Sequence, residues 1–108
     1  MINWSHVDDL KAEMAEAFDE VVDMFLEESG EVIARLEASP EPARYQSDLH
    51  FLKGAALNLG FERFAELCAE GEATAAAGRP EGVAIRDIID TYRDSVLELK
   101  KGLATRAA

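Results

Sequence analysis

The chain of 108 residues holds two histidines, one cysteine and 22 acidic side chains, and one of these groups stands where a reaction could happen. His50 lies in the stretch Leu49-His50-Phe51-Leu52-Lys53-Gly54-Ala55-Ala56-Leu57-Asn58-Leu59-Gly60. At about 100° per residue, Tyr45, Leu49, Leu52, Ala56 and Leu59 fall on one side of a helix, which is its core face. His50 points the other way, with Ala43, Gln46, Ser47, Lys53, Gly54, Leu57 and Phe61. Residues at i+3 and i+4 lie beside the residue at i, and here they are Lys53 and Gly54. A glycine inside a helix costs about 1 kcal/mol relative to alanine, and in return it leaves one flank of the imidazole uncovered for another macromolecule to approach. Lys53 sets three N–H donors one turn away, where they can hold a phosphoryl group on the ring. Imidazoles titrate near pH 6.5, so the neutral ring offers a lone pair for attack on phosphorus.

The other chemistry-bearing groups lack such company. His6 has no basic or small neighbours on its turn and reads as an incidental surface residue. Cys68 falls on an apolar stripe and reads as an ordinary buried thiol, with no second cysteine to pair with. No Glu-x-x-His pair occurs, since Ser47 precedes His50 by three, so a bundle-type metal centre is not expected. There is no glycine-rich nucleotide loop and no length left for an ATP-binding domain, so the chain is expected to be phosphorylated by something else.

A net charge of −11 repels nucleic-acid phosphates and sets that partner aside; its ordinary role is a solvated surface. No apolar run approaches the roughly 20 residues that cross a bilayer, and Met1-Ile2-Asn3-Trp4-Ser5 lacks the pattern of a secretory leader, so a cytoplasmic protein is expected. The length and 48% hydrophobic content suit one domain over residues 1–108 with one modest core.

Five helical segments must position His50. Ser5 is expected to cap a short helix from His6 to Glu16, with Asp8 and Asp9 in its first turn and Trp4 folded back as a lid. A long helix follows from Phe18 to Ala38, whose extra apolar residues Val21 and Met24 are candidates for a docking surface beside His50. Pro42 suits the start of the motif helix and Gly60 its stop, although the wheel turns Asp48 inward without an evident partner. A helix from Glu62 to Ala77 then forms a hairpin with it, and Gly71 on its inner stripe permits close packing. After the Gly78–Gly82 turn a last helix runs to Ala104, and Thr105–Ala108 is expected to fray. The fold class is all-α, an antiparallel four-helix bundle with a short additional N-terminal helix, and a complete core makes a monomer the default.

The run from His50 to Gly60 resembles the signature of histidine-containing phosphotransfer (HPt) domains, close to H-x-L-K-G-[SA]-[SA]-x-x-L-G. Phe25-Leu26-Glu27-Glu28, Leu67-Cys68, chain length and helix order are similar too, and Leu57 departs from the small residue usual there. The resemblance implies a four-helix bundle that carries a phosphoryl group on His50, taking it from an aspartate of a response-regulator receiver domain and passing it to another. It implies Lys53 offsetting phosphate charge, Gly54 admitting the partner, and Mg²⁺ supplied by the receiver, with no cofactor of the chain's own. A hybrid sensor kinase is a further partner in such relays. Docking is expected around Gln46, Leu57, Val21 and Met24. The rival reading is a helical adaptor that binds receivers without carrying phosphate.

Overall fold

The computed structural model describes residues 2–107, which form five α-helices: α1 (Trp4–Met14), α2 (Phe18–Ala38), α3 (Tyr45–Leu59), α4 (Glu62–Ala76) and α5 (Ile85–Ala107). Short 3₁₀ turns at Ala15–Ala17, Pro42–Arg44 and Pro80–Gly82 join them. The helix starts differ from the sequence reading for local reasons. Asn3, not Ser5, caps α1, its side chain accepting the His6 N–H at 3.0 Å, so Asp8 and Asp9 lie beyond the first turn. Pro42 opens a 3₁₀ turn, and α3 proper begins at Tyr45. Gly60 ends α3 in the left-handed region at φ 73°, and a Cβ there would sit 2.9 Å from the Asn3 carbonyl oxygen. Phe61, placed on the His50 face by the helical wheel, lies beyond this stop and is buried edge-on against Phe64 and Tyr92.

Contacts around the bundle run α2 to α3 to α4 to α5 and back to α2. Arg35 of α2 holds Asp48 of α3, and Gly71 of α4 lies against Leu49 of α3 and Ile88 of α5. Tyr92 of α5 exchanges a hydrogen bond with Ser29 of α2 at 2.8 Å. Arg35 and Glu37, late in α2, meet Asp48 early in α3 and Arg86 early in α5, and Gly71, late in α4, meets Leu49 and Ile88 early in α3 and α5, so neighbours are antiparallel. The core is one cluster in which Leu36, Leu49, Leu52, Leu59, Phe64, Ile88, Ile89 and Leu99 are fully buried.

Asp48, inward and unpartnered on the wheel, finds its partner here. Both its oxygens accept from Arg35, at 2.8 and 2.9 Å, and that hydrogen bonding is the main reason the guanidinium's pKa is raised further. α1 crosses the end of the bundle, where the Trp4 indole fills the place a Cβ of Gly102 would occupy. Arg106 stacks 4.7 Å from the Trp4 ring centroid and pairs with Asp8. This clasp holds the segment expected to fray in helix through Ala107; Ala108 lies outside the described residues.

Asp48→Ala strands the Arg35 guanidinium against a mostly buried surface, and the expected loss is about 2 kcal/mol of stability, or on the order of 10 °C in Tm. Thermal unfolding followed by circular dichroism measures it, with Asp48→Ala/Arg35→Leu expected to recover part of the loss.

Candidate functional site

Leu49 and Leu52, buried in the core, fix the rotation of α3 about its axis. That rotation turns His50 outward, its side chain 70% exposed. The ring is nonetheless held, because its Nδ1 lies 2.9 Å from Oε2 of Glu72 on α4. Oε1 of the same carboxylate lies 2.8 Å from the Lys53 ammonium. Glu72 therefore bridges the two residues that the motif placed one turn apart, and its side chain is only 20% exposed. Lys53 above all holds the Glu72 carboxyl below its ordinary range, partial burial opposes this, and the hydrogen bond with His50 adds to it. An ionised carboxylate only accepts, so Nδ1 donates and carries the ring proton. Nε2 has no hydrogen bond among the described residues. Oε1 is enclosed yet accepts no well-aligned hydrogen bond, so Lys53 holds it by charge.

A Cβ added to Gly54 would meet nothing within 4 Å, so packing within the chain does not call for a glycine there. The bare flank opens into a shallow depression between α2 and α3, lined by Phe25, Glu28, Phe51 and Ala55 beside His50. On the other side of the ring, Gln46 and Ser47 line a second depression with Glu72. Leu57 is exposed further along α3 and lines a third with Lys53, Ala65 and Ala69. Met24 is exposed and Val21 half-buried on α2, but the residues α2 contributes beside His50 are Phe25 and Glu28.

Sequence reasoning missed Glu72, Phe51 and Glu28. Glu72 follows Gly71 and stands four after Cys68, so it flanks the inner stripe of α4, and that position was the available signal. Its pairing with α3 depends on how closely two helices pack, which no single-helix pattern states. His6 donates from Nε2 to the Asn58 carbonyl at 2.9 Å, tying α1 to the end of α3. Cys68 is buried, and burial chiefly, with Glu72 adding and Lys53 opposing, pushes its thiol up to about 12; a thiol kept protonated is no nucleophile. Among the described residues no three metal-ligating side chains converge, and no helix is long and apolar enough to cross a membrane.

An exposed histidine braced by a carboxylate and a lysine, on a helical bundle with an uncovered flank, is the layout of a phosphoryl-accepting module. The Hpt domain family profile matches residues 20–104, and the chain belongs to that family. Its histidine phosphotransfer role in phosphorelays, and the interaction with receiver domains general among its members, follow from that membership. No curated protein and no solved structure matches the chain.

The lowered pKa of Glu72 sets a pH signature. A carboxyl depressed in the folded state contributes stability above its ordinary value of 4.5 and loses it as pH falls through the folded value. Glu72→Gln is thus expected to cost up to about 1 kcal/mol at pH 7 and nothing once Glu72 is protonated. Urea unfolding of native chain and variant over a falling pH series checks it, the difference between them closing as the pH drops below 4.5.

Proposed function

We propose that this chain is a phosphorelay carrier in which His50 accepts a phosphoryl group from the aspartate of a receiver domain and returns it to another such aspartate. The observation that carries the reading is the His50–Glu72–Lys53 constellation beside the bare flank of Gly54. His50 supplies the nucleophile. Lys53, held to Glu72 by charge, can turn to phosphoryl oxygens as they arrive. Gly54 lets the partner's edge reach the ring. Mg²⁺ belongs to the receiver, which supplies it when docked.

The partner's footprint centres on His50. Gln46 and Leu57 lie on its α3 side, and Val21, Met24 and Phe25 supply apolar surface from α2. Phe51, 42% exposed at the rim of the α2–α3 depression, extends that surface. The interface is small and transient, because a relay releases each partner after transfer.

Transfer from a labelled, phosphorylated receiver with Mg²⁺ tests this reading. Acid-labile label is expected on the native chain and on His6→Gln, and none on a folded His50→Gln. Receivers that bind without transferring label would establish the adaptor instead.

Gly54→Ala separates function from stability. Alanine fits the space and favours the helix, so the variant is expected to be more stable by about 0.5–1 kcal/mol. Its Cβ obstructs the partner, and transfer is expected to slow by about tenfold, or roughly 1.4 kcal/mol in the barrier.

A further inference from the structure

We propose that Gln46 holds the phosphoryl group: its side-chain amide donates a hydrogen bond to a phosphoryl oxygen while the group rides on His50, and so sets how firmly the carrier keeps its load between partners. This rests on His50 being the carrier and gives Gln46 a role apart from docking.

The need for such a donor follows from what remains once the receiver leaves. The receiver takes its Mg²⁺ with it, and a phosphoryl group of about two negative charges is left facing this chain's own side chains. Glu72 adds a further negative charge beside the ring, at 2.9 Å from Nδ1. Lys53 is shared, since it lies 2.8 Å from that same carboxylate. A neutral donor with no prior partner adds attraction that Glu72 does not divert.

Gln46 is placed to be that donor. Side chains on a helix lean toward its N-terminus, so the His50 ring leans over the turn that carries Gln46 and Ser47. At about 100° per residue Gln46 lies about 40° round α3 from His50, on the side where Lys53 reaches α4. Gln46 and Lys53 thus flank the ring, one turn to either side of it. Gln46 lines one depression with Ala43, Ser47, His50 and Glu72. Of the residues on its N-terminal side, Ala43 has no side-chain donor, and the Ser47 hydroxyl already donates to the Arg44 carbonyl at 3.1 Å. The Gln46 amide is exposed and makes no hydrogen bond among the described residues, so both its N–H groups are free to turn to an arriving anion.

Loading moves no proton. A ring lone pair attacks phosphorus, the P–O bond to the receiver's aspartate breaks, and the aspartate leaves as a carboxylate. The amide then donates to an oxygen of the group now bonded to nitrogen. Delivery reverses each of these: an aspartate oxygen attacks, the P–N bond breaks, its electron pair returns to the ring, and the amide is released.

A docking contact and a phosphoryl contact separate in one measurement. When receiver and carrier are kept dilute enough to be mostly apart, the final division of label between them depends on the free species alone. A residue that only docks changes how fast label divides and not where it settles. The full chain, as native, Gln46→Ala, Gln46→Glu and Leu57→Ala, each checked for folding by circular dichroism, is mixed with labelled, phosphorylated receiver and Mg²⁺, and the division is read before label is lost to water. Gln46→Ala is expected to shift it toward the receiver by about fivefold, the worth of one hydrogen bond to a charged group at an exposed site. Gln46→Glu, an acceptor of like charge, is expected to shift it further, and Leu57→Ala to reach the native division more slowly. A Gln46→Ala chain that settles at the native division, at whatever speed, would overturn the proposal and leave Gln46 at most a docking residue. A native chain that takes no label overturns the carrier reading instead.

Discussion

The close approach of α3 and α4 at Gly71 is the constraint on which the rest depends. A Cβ at that position would lie 2.7 Å from Leu49 Cδ1 and within 3.3 Å of Val83 and Ile88 side chains, so any side chain there forces the buried Leu49 and its neighbours to repack. The residues that touch are Leu49 and Gly71; the residues that follow each of them are His50 and Glu72. Apolar packing and polar contact are thus the same register of one hairpin, offset by a single residue. A hydrogen bond of 2.9 Å is sensitive to a shift of a few tenths of an ångström, and the packing one residue earlier supplies that accuracy.

Charge is divided by the same economy. Several arginines serve as fasteners between helices: Arg35 with Asp48, Arg86 and Arg93 with Glu37, Arg106 with Asp8. Their forked guanidinium groups suit fixed carboxylates, and the two on Glu37 hold its carboxyl below its ordinary range. At the site the cation is a lysine, compact and on a flexible stem, which suits a group that exchanges one anion for another.

The helices were legible because their apolar stripes are long and regular, and the exposure of His50 and the open flank of Gly54 followed from the same periodicity. What stayed hidden lay between elements. Asp48 looked misplaced until Arg35, thirteen residues earlier, came opposite it. Glu72 looked like one acid among many, since nothing local marks which of them faces another helix. Phe61 was misplaced because the wheel was carried one residue past Gly60, where the backbone turns left-handed. The start of α1 was misread because Asn3 and Ser5 are both good caps, and the backbone contact of Asn3 with Gly60 favours the earlier one.

The clasp of Trp4 and Asp8 with Gly102 and Arg106 joins segments separated by nearly the whole chain. Closing so long a loop carries the largest entropic cost of any contact in the bundle, and the groups that close it lie at a solvated rim. The clasp does not stand alone, since Ile2 and Val7 are buried in the core and Asn3 and His6 bond to Gly60 and Asn58. The two ends of the chain are thereby fastened to the same turn that stops the motif helix, and the bundle is closed around His50 from both termini.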